Sequence, residues 1–259
     1  MNLQCLAEIA GRYTARPQVA RVITEEWCAR EMYCPACTSN RLMQSKANTP
    51  AFDFACPVCG QHFQLKSSKN WSTGEIPDAG YEAMIRAIRT DQAPNLLVMQ
   101  YSAEWTVANM LLVPRMFFTE SIIKKRNPLS PQARRAGWVG CNILLREIPD
   151  DGRIAVVSGG QAMGVKQVRA EFSRISGLSE LSPGLRGWTV DLLRIIRRLG
   201  RRRFSLAELY EFETELRGLH PQNRHIRPKI RQQLQILRDI GVISFDSPGK
   251  YCIRDERGA

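Results

Sequence analysis

Apolar residues at helical spacing open the chain. Val19, Val22, Ile23 and Trp27 fall three and four residues apart and predict a helix over 17–32, with Thr24, Glu25 and Glu26 on or beside that face. The period then changes. Stretches 51–54 and 62–66 are apolar or aromatic at alternate positions, the pattern of short strands with one covered face. A polar, turn-rich loop is expected over 67–80. A second helix follows over 81–90, where Tyr81, Met84, Ile85 and Ile88 share a stripe. The runs NLLVMQY at 95–101 and VANMLLV at 107–113 lack alternation and read as buried strands. Residues 153–157 read as a last strand of the first domain, and ISGLSELSPGLRG, from Ile175, as a linker.

From residue 183 the pattern is helical again. Trp188, Leu192, Ile195, Ile196 and Leu199 mark one helix. Ser205 is placed to cap a second, with Glu208 three residues on completing a capping box, and its apolar set is Leu206, Leu209, Tyr210, Leu216 and Leu219. A third, over 228–240, carries Ile230, Leu234 and Leu237 on one stripe and stops at Gly241. VISF, DSPG and KYCI then read as strand, turn and strand. Three helices followed by a hairpin is the winged-helix order. The expected division is therefore a first domain at 1–182 and a winged helix at 183–259.

Composition sharpens this picture. With 259 residues and 44% hydrophobic content the chain can build one large or two modest cores. A formal charge of +12 points to a polyanionic partner. Residues 183–259 hold 16 Lys and Arg against 9 Asp and Glu, so the smaller part is the more densely basic. There is no long apolar run, no basic amphipathic anchor and no secretory pattern at the N-terminus, which argues against a membrane partner and for the cytoplasm. Cys5, Cys28, Cys141 and Cys252 are scattered and read as reduced, partly buried thiols.

The other four cysteines carry chemistry. Cys34/Cys37 and Cys56/Cys59 form two Cys-x-x-Cys knuckles separated by 18 residues, the spacing of a zinc ribbon at 34–59 with a closed S4 shell. Disulfides or unrelated thiols are the competing explanations. Interlaced with the knuckles are Asp53, Gln64 and Lys66. Strand alternation places Gln64 and Lys66 on one face and Leu65 on the other, with Asp53 able to face them across the pairing. Asp53 and the Gln64 side-chain oxygen could hold Mg2+, and Lys66 could position or activate a water. A solvated strand face is the plainer reading. An acid of the first helix, Glu25 or Glu26, could support such a site. The order helix, strands bearing Asp53 and Gln64/Lys66, helix, strand is that of the PD-(D/E)xK nuclease core, which favours the catalytic reading.

Two further stretches suit DNA. IIKKRNPLSPQARRAGWVGCN, at 122–142, reads as an exposed basic loop in which Arg134 and Arg135 could meet phosphates. Gly137 and Gly140 would admit a ligand, and Trp138 between them is a candidate to touch a base or enter a groove. On the third C-terminal helix Lys229, Gln232 and Gln235 lie away from the apolar stripe, with Arg231 at its edge. Gln pairs with adenine edges, and Arg or Lys with guanine or phosphate.

With these pieces placed, the sequence resembles the DpnI restriction endonuclease family over nearly its whole length. The most specific segments are ARVITEEW, YCPAC, the hairpin from Asp53 to Lys66, PLSPQARRAGWVGCNI, RGWTV and KIRQQLQILRD. The resemblance implies an α/β PD-(D/E)xK core with an embedded zinc ribbon and a C-terminal winged helix. It implies a Mg2+-dependent type II enzyme, expected as a monomer, that cuts double-stranded DNA at GATC when the adenine is N6-methylated. By the same resemblance Asp53, Gln64 and the Leu65 carbonyl hold the magnesium and Lys66 assists the attacking water. Zinc sits on Cys34, Cys37, Cys56 and Cys59. Trp138 lies against the methyl groups, and the helix bearing Lys229, Arg231, Gln232 and Gln235 enters the major groove. One position departs from the family pattern: Gln64 stands where it has Glu. An amide oxygen still suits Mg2+ but attracts it less, so a methyl-adenine reader with little or no catalysis is the alternative.

Overall fold

The computed structural model describes residues 1–46, 49, 51–71 and 74–254. In chain order the elements are α1 (Arg16–Glu31), β1 (Met43–Gln44), β2 (Phe54–Ala55), β3 (His62–Ser68), β4 (Glu75–Gly80), α2 (Tyr81–Arg89), β5 (Asn95–Tyr101), β6 (Val107–Val113), β7 (Ile123–Lys125), β8 (Gly140–Leu144), β9 (Ile154–Ser158), β10 (Gln161–Ala162) and α3 (Val165–Arg174). They continue as α4 (Pro183–Arg198), β11 (Arg203–Ser205), α5 (Leu206–Tyr210), α6 (Glu213–Leu219), α7 (Ile226–Asp239), β12 (Ile243–Ser247) and β13 (Lys250–Ile253). Among the described residues no helix is long and apolar enough to cross a membrane.

Packing gathers the chain into two units. The first comprises Met1–Thr73, Ala93–Arg115 and Asp151–Ser173, and the second Gly74–Gln92, Met116–Asp150 and Arg174–Ala259. The first unit is built on a seven-stranded sheet in the order β1-β2-β3-β5-β6-β9-β10. Its centre is β5, all but one of whose residues are buried, which is why NLLVMQY shows no alternation. β3 runs parallel to β5 and the other pairs are antiparallel. Of the stripe read from α1, Ile23 and Trp27 are buried, and Thr24 and Cys28 complete the buried face, while Val19 and Val22 are only half-buried. Each such apolar side chain taken from water contributes roughly 1.5–3 kcal/mol.

The fully buried Asn95 opens β5 and is satisfied on every side. It donates to the His62 carbonyl (2.9 Å) and the Gln61 side chain (3.0 Å) and accepts from the Arg115 amide (2.9 Å). A buried amide leaves no group unpaired only when bonded in this way. It fastens the cysteine hairpin to the sheet.

The expected strand at 51–54 is shorter and shifted. Ala51 adopts φ +74°, which breaks the extended chain, and only Phe54 and Ala55 join the ladder. Asp53 keeps the pairing without being strand, since its amide donates to the Phe63 carbonyl (2.9 Å) and its carbonyl accepts from Ser45 (2.8 Å).

The loop expected at 67–80 is strand at both ends, since Ser67 and Ser68 close β3 and 75–80 form β4 in the second unit, while Ser72 and Thr73 lie outside the described residues. β4 lies on the edge of a sheet ordered β4-β8-β7. Pro77 lacks an amide hydrogen, so an edge is where such a strand can sit, and the register slips between Pro77 and Gly80. The basic stretch at 122–142 is likewise bounded by β7 and β8. The linker expected from Ile175 is a packed 3-10 turn with Ile175 and Leu178 fully buried. The second C-terminal helix is two, α5 and α6. Its predicted start is correct: the Ser205 side chain accepts from the Glu208 amide and the Glu208 carboxylate from the Ser205 amide. β11, unread in the sequence, adds a third strand to the β12–β13 hairpin, in the order β11-β13-β12.

Charged side chains support this unit from within. Arg186, 2% exposed, pairs with Asp91, and Asp191, equally buried, accepts from Ser121 (2.6 Å) and bonds the His220 ring (2.9 Å). Removing Asp91 would take this partner from the buried Arg186 guanidinium, although Asp91 is itself partly exposed and water offsets some of the loss.

Candidate functional site

The four cysteines of the knuckles converge. Their sulfurs all lie within 4.8 Å of one another, with Cys34 and Cys59 at 3.6 Å and Cys37 and Cys56 at 3.5 Å. A disulfide requires about 2.05 Å. Four ligands at about 2.3 Å from one ion stand about 3.8 Å apart, so the cluster fits tetrahedral zinc. Local turns create it. Backbone bonds from Cys34 to Ser39 (3.0 Å) and from Cys56 to Gln61 (2.8 Å) close each knuckle, and amides of Ser39 and Val58 point at the sulfurs of Cys37 and Cys56. Gly60 takes φ +70° to finish the second turn. Burial works against ionising Cys56, but the amides of Cys59 and Val58 and the neighbouring thiols together bring it down to about 6. Burial pushes Cys34 up. Arg169 of α3, absent from any sequence signal, straps the first knuckle by donating to the carbonyls of Cys34 (3.1 Å) and Ser39 (2.8 Å).

The hairpin so braced carries the oxygen donors. Phe54 pairs with Phe63 and Ala55 with His62, so Asp53 comes opposite Gln64. The Phe52 and His62 rings stack at 3.8 Å and hold the two strands in register. The Leu65 amide donates to Asp53 Oδ2 at 2.8 Å, fixing the carboxylate on β3. Asp53, Gln64, Leu65 and Lys66 line one groove of about 1170 Å³. The structure therefore brings together the residues that alternation could only align. Carboxylate, side-chain amide and main-chain carbonyl are hard donors, the set that suits Mg2+.

The groove has residues that periodicity did not reveal. Arg16, Arg21 and Lys69 make its walls cationic, and Tyr101 and Trp105 add an aromatic edge. Arg21 bonds Glu25 at 2.6 Å; that bond first, and Asp53 after it, holds the guanidinium above its ordinary range. Glu25 also lines the groove and accepts from Gln44 (2.9 Å). Glu26 is not among the groove's residues and pairs with Arg30 at 3.6 Å.

In the second unit Arg134 and Arg135 are exposed on the loop between β7 and β8. Trp138 is half-buried rather than free. The Arg135 guanidinium lies 4.7 Å from its ring centre, and the indole packs so closely on Gly140 that an added Cβ would sit 2.8 Å from its Cζ3. Gly140 thus admits the chain's own tryptophan, where a ligand was expected. On α7, Arg231, Gln232 and Gln235 are exposed, and Arg231 bonds the Tyr210 hydroxyl at 2.7 Å. Lys229 is turned aside, 5.9 Å from the Trp188 ring centre, and the burial there lowers its pKa.

Comparison with known families accounts for nearly the whole chain. Residues 1–181 match the model of DpnI, the Dam-replacing family, and residues 184–252 that of the Dam-replacing HTH domain.

Proposed function

The chain belongs to the DpnI, or Dam-replacing, family, and from that membership we propose that it is a methyl-directed type II endonuclease. It hydrolyses one phosphodiester per strand of duplex DNA at GATC sites whose adenine carries an N6-methyl group. The observation that supports the chemistry is the groove shared by Asp53, Gln64, Leu65 and Lys66 on a hairpin fastened by four cysteines. The seven-stranded sheet with α1 beside β3 is compatible with a PD-(D/E)xK core. Asp53, the Gln64 amide oxygen and the Leu65 carbonyl would hold Mg2+, which when bound neutralises charge on the scissile phosphate and activates water. Lys66 orients the attacking water and donates to a phosphate oxygen. Arg16, Arg21 and Lys69 draw the DNA backbone into the groove. Zinc on Cys34, Cys37, Cys56 and Cys59 is structural, because four thiolates leave no open position.

Gln64 supports the alternative of a reader with weak catalysis. Asp53 and Lys66 weigh against it, since a decayed site has no need of them. The two readings separate in a Mg2+ titration of cleavage. The wild-type chain should cut methylated DNA, and Gln64→Glu should cut at lower metal, because a second carboxylate attracts the dication more strongly. Wild type inert at every concentration beside an active Gln64→Glu would establish the reader.

Recognition is assigned to Trp138 and to α7. Gln232 and Gln235 would read base edges and Arg231 would hold phosphate. Arg186 and Asp191 are bound to residues outside 183–259, so the test uses the full chain carrying Asp53→Ala, which cannot cut. Gln232→Ala or Gln235→Ala should reduce the preference for methylated over unmethylated duplex by about 1–3 kcal/mol. Arg231→Ala should weaken both duplexes alike. Fluorescence anisotropy at fixed salt measures this, and an unchanged preference in both Gln variants would remove α7 from the reading of the site.

A further inference from the structure

We propose that Trp105 and Lys69 form a positioning site for the DNA backbone beside the cut. The inference rests on the groove of Asp53 and Lys66 being where DNA is hydrolysed. Trp105 stands in the turn between β5 and β6 with φ +59°. That region is rarely adopted by a large side chain and is costly outside glycine. Such a conformation persists only where its surroundings over-determine it.

Here they do. The Trp105 amide donates to the Ser102 carbonyl (3.2 Å), and its own carbonyl accepts from the Cys5 amide (2.9 Å). Gln4 donates to the Glu104 carbonyl (2.9 Å) and accepts from the Thr106 hydroxyl (2.9 Å). The N-terminal segment is thus laid along the turn and holds it in an unfavourable shape.

That shape lays the indole nearly parallel on Tyr101, with ring centres 4.9 Å apart and an angle of 8°. Tyr101 is buried and belongs to the core. Trp105 is only half-buried and lines the groove together with Asp53, Gln64 and Lys66. Its aromatic surface is therefore supported from below and presented to the groove. The Lys69 ammonium lies over the same ring, 5.8 Å from its centre, and Lys69 also lines the groove. A phosphate oxygen is a stronger partner for an ammonium than an aromatic face is. When DNA enters, Lys69 passes from the ring to a phosphate, and the indole takes up the deoxyribose or base edge beside it.

Lys69 lies just past the end of β3, three residues on from Lys66, and both line the groove. Lys69 therefore meets a backbone phosphate apart from the one that Lys66 serves. Neither residue reads sequence; together they fix where the scissile phosphate lies.

Binding of a methylated duplex, in EDTA and over a range of salt, is compared for wild type, Lys69→Ala, Trp105→Ala and Trp105→Phe. The comparison is repeated in a chain whose Arg231, Gln232 and Gln235 are all alanine. Trp105→Ala should weaken binding about tenfold, and Trp105→Phe should recover most of the loss, as apolar contact with a flat ring requires. Lys69→Ala should make the slope of log K against log salt shallower by about 0.9, one phosphate. In cleavage, the Trp105→Ala defect should fall on KM more than on kcat. Zinc content and thermal midpoint check the fold, and if Trp105→Ala is unstable, Trp105→Phe and Lys69→Ala decide. Wild-type affinity for the tryptophan variants and a wild-type salt slope for Lys69→Ala, in both backgrounds, would overturn the proposal. A wild-type chain that cuts no methylated DNA at any metal concentration counts against the endonuclease reading alone, because the binding comparison, made in EDTA, still decides the positioning site.

Discussion

Replacing Asp53 or Lys66 by alanine is expected to lower cleavage of methylated DNA by about a thousandfold or more, while binding of that DNA persists. Asp53 supplies the carboxylate of the donor set, and its Oδ2 is anchored by the Leu65 amide. Without it, the members of that set left to hold a dication are the Gln64 and Leu65 oxygens, and neither is charged. Lys66 contributes a cationic side chain to the same groove. On the proposed assignment recognition rests with α7 and Trp138, which these changes do not alter in sequence, so binding is expected to remain. Plasmid cleavage at saturating Mg2+, beside anisotropy on the same DNA, separates the two effects. Parallel loss of binding and cutting would mean that the hairpin is part of the recognition surface, and unchanged cutting would remove it from catalysis.

Cys56→Ala is expected to release zinc and disorder the hairpin, with loss of cutting as a consequence. Structural zinc contributes about 10–16 kcal/mol of apparent binding energy in small zinc domains. A loss of that size is comparable to the net stability usual for a whole domain, about 5–15 kcal/mol. The geometry explains why the effect should reach catalysis. Cys56 lies three residues after Asp53, and the Cys56–Gln61 bond closes the turn that sets the register of Asp53 against Gln64. Asn95 then transmits that register to β5 through Gln61 and His62. Metal content by mass spectrometry and the thermal midpoint measure the effect. A soluble, zinc-free and fully active Cys56→Ala chain would contradict it.

Much of this arrangement could be read in the sequence because it depends on short-range patterns. The Ser205–Glu208 capping box, the stripe of α1 and the continuous apolar run of β5 each need only their own segment. The knuckles are legible because two thiolates at fixed spacing have few other uses. What escaped reading depends on residues distant in the chain. β4 carries Pro77 and polar neighbours and becomes a strand only because β8 offers it an edge. The close fit of Trp138 on Gly140 appears only when the loop folds back. Trp105 belongs to the groove because the N-terminal segment forces its turn, a contact across about a hundred residues. Arg169 reaches the first knuckle from still further away. Asp53, Gln64 and Lys66 fall between these cases: alternation aligned them, and the pairing of β2 with β3 brought them together.

The most direct measurement is incubation of the wild-type chain with two plasmids that differ only in adenine methylation at GATC, each with and without Mg2+. The account predicts double-strand cutting of the methylated plasmid in Mg2+ and no cutting in the other three reactions. Equal cutting of both plasmids, or none of either at any metal concentration, would contradict it.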